Sequence, residues 1–142
     1  MSKVEYLSGW QPELCIQEIA RILKPYGHCI LQVPFLYPIH DKPLDFQRWT
    51  LYGLQHFAEK HHLKIQNIKI TGKPLETAAL LCNIALVKTW LNWAKQRHPA
   101  ILFGIALPPL ILLINLSAWF FSLFSTSDEF MPHSYRIILE KI

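Results

Sequence analysis

The stretch "PFLYPIHDKPLDFQRWT", residues 34–50, gathers Tyr37, His40, Asp41, Asp45, Arg48 and Trp49 just past a short apolar run. His40 suits a general base acting on an acceptor hydroxyl or amine, because imidazole titrates near neutrality. Arg48 offers a planar fork that grips a carboxylate or phosphate at two points. Tyr37 and Trp49 could wall a pocket, so Tyr37, Asp45, Arg48 and Trp49 are the candidate substrate-binding residues, with His40 as the candidate base. The same residues admit plainer roles. Asp45 and Arg48 stand three apart ahead of a helix whose first turn favours acids, and could pin the loop as a local ion pair. His40, beside Asp41, could be a loop hydrogen-bonding group. His40, Asp41 and Asp45 do not make a convincing metal ligand set, so no metal is expected. His61 and His62 close a helix, where cations are favoured, and are expected to be solvated.

Local patterns say what should position that loop. Pro12 to Leu23 reads as an amphipathic helix with Cys15, Ile19, Ile22 and Leu23 on one face. Pro12 fits a first turn, Pro25 stops the helix and Gly27 permits a tight turn. His28 to Val33 is nearly all apolar, which predicts a strand buried on both faces, as in a parallel sheet. Thr50 to His62 predicts a second helix, with Thr50 as N-cap and Leu51, Leu54, Phe57 and Ala58 inward. Leu63 to Thr71 alternates imperfectly and predicts an outer strand. In "SYRIILEKI", Tyr135, Ile137 and Leu139 alternate with Arg136, Ile138 and Glu140, predicting one more strand of the same sheet. Helix, tight turn and buried strand make half of a doubly wound α/β unit, whose ligands sit beyond the carboxyl ends of the strands.

These segments resemble class I S-adenosylmethionine-dependent methyltransferases. "EIARILKPYGHCILQVPF" is similar to the segment that precedes and forms that family's fifth strand. Arg21, Leu23, Lys24, Pro25 and Gly27 match its R-x-L-K-P-G-G wording, with Tyr26 in place of the first glycine. Pro34, Phe35, Tyr37, His40, Pro43, Asp45, Phe46, Arg48 and Thr50 match the spacing P-F-x-Y-x-x-H-x-x-P-x-D-F-x-R-x-T of one branch. The closing strand resembles the family's final antiparallel strand. The resemblance implies a partial Rossmann-like methyltransferase sheet, S-adenosylmethionine as cofactor and a small or lipid-linked methyl acceptor. It also implies a glycine-rich turn after a first strand, and the chain has none. Its five glycines, Gly9, Gly27, Gly53, Gly72 and Gly104, form no G-x-G. The cofactor-binding residues are therefore expected in an absent amino-terminal half. Even a fourth strand before Pro12 is not evident in "MSKVEYLSGWQ".

Composition adds a second theme. Hydrophobic residues make up 51% of the 142 and charged ones 17%, against roughly 45–50% and 25% in average soluble domains. From Pro99 to Ser127 there is no charged residue. The net charge of +4 comes without a compact Lys/Arg cluster or a nucleic-acid motif, which argues against nucleic acid and for an anionic membrane surface. Three cysteines without metal-type spacing suit a reducing compartment, and Cys15 and Cys29 read as core thiols. The stretch "MSKVEYLSGWQPEL" has no apolar h-region, so no signal peptide is expected.

The expected organisation is therefore an α/β domain over residues 1–75, a hydrophobic membrane-associating helical insertion over 76–127, and a final strand over 128–142. The lipid partner would be met through residues 77–124, on the cytoplasmic face of a membrane. Ala100 to Phe124 suffices to cross roughly 30 Å of hydrocarbon. Both flanking strands belong to one sheet, so the block must cross twice or not at all. Asn83, Lys88 and Asn92 weaken the first arm, and Pro108-Pro109 should break the second near its middle. An in-plane or re-entrant insertion is expected, with Trp90, Trp93 and Trp119 near headgroups and Lys88, Lys95 and Arg97 meeting anionic lipid. A helical lid or a dimer interface is the alternative. The expected function is a membrane-associated methyltransferase-family protein lacking its cofactor-binding half. The rival is a non-catalytic membrane-bound remnant or interaction module.

Overall fold

A computed structural model of the chain describes residues 12–40, 42–43, 45 and 47–142. The segment before Pro12 and the residues Asp41, Leu44 and Phe46 lie outside the described residues, so the fourth-strand expectation, the Phe46 match and the role of Asp41 fall outside them too.

The elements are α1 (Pro12–Ile22), β1 (His28–Pro34), α2 (Leu51–Lys60), β2 (Leu63–Thr71), α3 (Pro74–Lys95), a 3-10 helix (Pro99–Ala106), α4 (Leu107–Ser122) and β3 (Ser134–Lys141). They fall into two compact units. One comprises the described residues up to Thr71 together with Pro132–Ile142; the other is Gly72–Met131.

The first unit is a three-stranded sheet in the order β1-β3-β2, with β3 antiparallel to both neighbours. Tyr135, Ile137 and Leu139 lie buried on one face, as the alternation predicts, together with Leu31, Val33 and Leu63. Ile16 and Ile19 of α1 and Leu51, Leu54 and Ala58 of α2 close over that face and complete a single core. Burying such aliphatic side chains contributes about 1.5–3 kcal/mol each.

β1 departs from expectation. Leu31 and Val33 are buried, but His28, Ile30 and Gln32 are exposed. The strand is covered on one face only, because α1 and α2 both belong to the core on the Leu31 side and no described element packs on the other. β2 explains its own uneven pattern. A bulge shifts the register between Ile65 and Asn67, leaving Gln66 without a register partner on β3. The extra residue returns Ile68 and Ile70 to the face that holds Ile65.

The turn into β1 is tightly built. Tyr26, which stands where the methyltransferase wording has glycine, adopts φ 60, a conformation that costs an L-residue about 1–2 kcal/mol. Its N–H donates to Lys141 O (3.0 Å), and Lys141 N–H donates to Gly27 O (3.1 Å), tying the turn to the end of β3. Gly27 is required sterically: a Cβ there would stand 2.8 Å from Lys24 O.

In the second unit, α3 and α4 pack as a helical pair. Pro108 and Pro109 do not break the second arm. They occupy the first turn of α4, where a missing N–H is no loss, and the preceding 3-10 helix runs directly into it.

Candidate functional site

The candidate loop leaves β1 as the ladder ends. Phe35 N–H still donates to His133 O (2.9 Å), and its ring packs against Tyr135 at 5.7 Å between centroids. Thr50 then caps α2, its Oγ1 accepting from Gly53 N–H at 3.0 Å.

Between these fixed ends the loop is organised by one carboxylate. The Asp45 side chain is only 2% exposed. It is gripped by both terminal nitrogens of Arg48, Nη1 to Oδ1 and Nη2 to Oδ2 at 2.8 Å. It also accepts from the His40 backbone N–H at 3.1 Å. Arg48 further donates to the carbonyls of Gln47 (3.1 Å), Tyr37 (3.2 Å) and Pro38 (3.3 Å). These bonds hold the Asp45 carboxyl well below the usual carboxylate range, the Arg48 hydrogen bond being the largest cause, and raise Arg48 in turn. The guanidinium fork thus has its carboxylate within the chain, as in the local ion pair.

His40 stands at the rim. Its Nδ1 lies 3.0 Å from Pro38 O and 3.6 Å from Asp45 Oδ2, and its ring meets Tyr37 edge-on at 5.2 Å. A carbonyl can only accept, so Nδ1 is the donor in that contact. Trp49 is 6% exposed and packs edge-on against Phe57 at 5.4 Å, so it belongs to the core. The structure therefore brings Tyr37, His40, Asp45 and Arg48 together and assigns Trp49 to the core rather than to a pocket wall.

Elsewhere in this unit, Glu13 of α1 pairs with Lys60 at 2.6 Å and lies 3.4 Å from His61 Nε2. The Lys60 hydrogen bond is the largest cause lowering the Glu13 carboxyl. His62 is exposed as expected, but the His61 side chain is only 16% exposed, because α1 lies against the end of α2. Cys15 and Cys29 are half-buried, and burial pushes both thiols up, which makes them poor nucleophiles.

Sequence patterns alone did not reveal two features. Lys69 and Arg136 stand directly opposite on β2 and β3, both exposed, without an ion-pair partner among the described residues. Like charges opposed this way repel. They lie two cross-strand rows from Thr71 and Ser134, where the chain leaves and rejoins the sheet. The only signal would have been the strand register.

The second feature is the inside of the helical pair. Lys73 Nζ donates to Ser122 O (2.6 Å), Asn83 Nδ2 donates to Asn115 Oδ1 (2.7 Å), and Trp90 Nε1 donates to Ile101 O (3.1 Å). Ala78, Ala79 and Cys82 face Ile114, Ser117 and Ala118 across the pair. The outer surface of the 3-10/α4 arm is apolar, with Leu102, Phe103, Ile105, Leu113, Trp119 and Phe121 exposed, while α3 exposes Glu76, Lys88, Thr89 and Asn92. Pro99–Ser122 is long and apolar enough to cross a membrane: its best window has mean hydropathy 2.2, and none of that window is buried within the protein.

Comparison with protein-family models, with curated proteins and with solved structures gives no match for this chain.

Proposed function

We propose that the chain is a membrane-associated protein of the S-adenosylmethionine-dependent methyltransferase kind, supplying the acceptor side of the sheet without a cofactor cradle in these 142 residues. The observation that supports it is the sheet itself. β3 lies antiparallel to the strand that follows the R-x-L-K-P turn and to β2, in keeping with the family's final antiparallel strand. The loop carrying His40 leaves the carboxyl end of β1, the end at which open α/β sheets bind ligands. His40 would accept a proton from a small or lipid-linked acceptor, and Tyr37 would flank it. S-adenosylmethionine would supply the methyl group, and the residues to hold it are not among those described.

Membrane association rests on the apolar helical pair. Lys60, Lys64, Lys69, Lys73, Arg136 and Lys141 flank its base in sequence, against Lys88, Lys95 and Arg97 toward its tip. The positive-inside tendency then places the base on the cytoplasmic face.

One observation favours the rival, a non-catalytic membrane-bound module: the Arg48 fork is already occupied by Asp45. Of two measurements on the same purified chain, the first checks that the cofactor cradle is absent from it and the second separates the two readings. Calorimetric titration with S-adenosylmethionine should show no binding by the 142-residue chain alone. Methyl transfer to a membrane lipid extract should then appear only when a cofactor-binding half is supplied, and should fall in His40→Ala. No transfer under any such combination, with vesicle binding intact, establishes the module instead.

A further inference from the structure

We infer that α3 and the 3-10/α4 arm form a hairpin that crosses the bilayer twice and exposes the Lys95–His98 tip on the far side. The inference rests on the membrane association proposed above and concerns its geometry.

Length permits it. The 22 residues of α3 rise about 33 Å. The other arm has eight 3-10 residues at about 2.0 Å each and sixteen α-helical residues at about 1.5 Å, or about 40 Å in all. Both exceed the roughly 30 Å of a hydrocarbon core. Among the described residues only Pro99–Ser122 is also apolar enough to span by itself, so α3 crosses as its packed partner. The chain leaves the sheet at Thr71 and rejoins it at Ser134, and these two residues are paired. Both arms therefore start from one side.

An in-plane helix needs one apolar face and one polar face. α4 has neither division: Leu110, Leu112, Leu113, Leu116 and Phe120 are exposed round its surface, while Ile114 and Ala118 face α3. Apolar residues on every side suit a helix surrounded by lipid and one partner. Asn83, one of the polar residues that weaken the first arm as a separate span, meets Asn115 of the second arm. Asn83 lies nine residues into α3 and Asn115 eight residues into α4, and their side chains share a hydrogen bond across the pair. Interhelical bonds of this kind hold membrane helices together.

The ends match the two interfaces. Trp90 and Trp93 mark the tip side and Trp119 the base side, as aromatic belts do. Lys88 stands two turns before Lys95, close enough to extend its ammonium toward the tip-side headgroups. The tip itself, Lys95, Gln96, Arg97 and His98, is exposed and polar, so it suits water rather than the bilayer interior.

The test uses the full chain with Cys15, Cys29 and Cys82 replaced by alanine and one new cysteine, Gln96→Cys at the tip or Lys64→Cys on the sheet. Each protein is added to preformed phosphatidylcholine/phosphatidylglycerol vesicles, and a membrane-impermeant maleimide is either added outside or trapped within. The expected result is that the Lys64→Cys protein is modified only from outside and the Gln96→Cys protein only from within. Lys95→Cys repeats the tip measurement should Gln96→Cys fold poorly. Modification of the tip from outside means an in-plane insertion. Modification from neither side until detergent is added means a re-entrant one. Either result overturns the crossing and leaves membrane association standing. Protein that washes off at alkaline pH, or stays soluble as a dimer, overturns both.

Discussion

Gly104 sits directly under the indole of Trp90. A Cβ at Gly104 would stand 2.7 Å from Trp90 Cε2 and 2.9 Å from Cδ1, closer than packed carbons approach. Gly104 thereby lets the 3-10 helix come near enough for Trp90 Nε1 to reach Ile101 O. Gly104→Leu should push the indole aside and break that bond, at about 1–3 kcal/mol, the usual range for overpacking. Denaturation of the two proteins in detergent micelles, followed by far-UV circular dichroism, checks this. An unchanged midpoint would mean the indole moves without consequence.

The Asp45 carboxyl sets a pH dependence with a definite sign. Its folded pKa is depressed, so the stability it contributes is fully present above the unfolded carboxylate value of about 3.9. That stability is lost as pH falls from there through the lower folded value. Asp45→Asn should lower the melting temperature at neutral pH and flatten its decline in acid. Arg48→Lys should do the same in part, because it keeps the charge and loses the fork. Melting curves from neutral pH down through the carboxylate range decide the matter. Parallel decline in wild type and Asp45→Asn would show that the pair contributes nothing.

Two local substitutions test the frame that carries the loop. Thr50→Ala removes the oxygen that receives Gly53 N–H and should cost about 1 kcal/mol. Tyr26→Gly relieves a left-handed tyrosine that is 77% exposed, and should stabilise the protein by up to about 1 kcal/mol. Urea titrations give both signs. A destabilising Tyr26→Gly would mean that the ring or the stiffer unfolded chain matters more than the relieved strain.

Lys69 and Arg136 should weaken the fold and strengthen membrane binding at once. Replacing either by glutamine removes a like-charge pair, worth roughly 0.2–1 kcal/mol. It also removes a cation whose attraction to an anionic surface is worth about 1 kcal/mol, or roughly fivefold in partitioning. Each variant should melt slightly higher and sediment less with phosphatidylglycerol vesicles, with no change on neutral ones. Equal binding to both vesicle types in wild type and variants would remove these residues from the lipid contact.

What sequence patterns convey here is what is decided locally. Thr50 ahead of Leu51 and Leu54 announces a capped amphipathic helix because cap and stripe lie within one turn of each other. The i,i+3 spacing of Asp45 and Arg48 already contains the ion pair as one of its two meanings. Burial of Ile30 is different, since it depends on what packs against the far face of β1, and the neighbours in sequence do not say. The bulge at Gln66 leaves only a lapse in alternation. The Asn83–Asn115 bond joins residues 32 apart, so each asparagine alone looks like a flaw in its own helix. Pro108-Pro109 looks like a break until the helix boundary at Leu107 is known.

The strand order leaves the sheet with two unlike rims. β2 ends one side, and its bulge at Gln66 with Lys64 and Lys69 gives a bent, charged border that discourages another strand from joining. β1 ends the other side, and its run from Cys29 to Val33 is straight and uncharged, with Ile30 47% exposed. Among the described residues nothing occupies that border. Of the two rims, β1 is the one whose sequence offers no charge or bulge against strand addition between molecules, and a lysine in place of Ile30 would supply one.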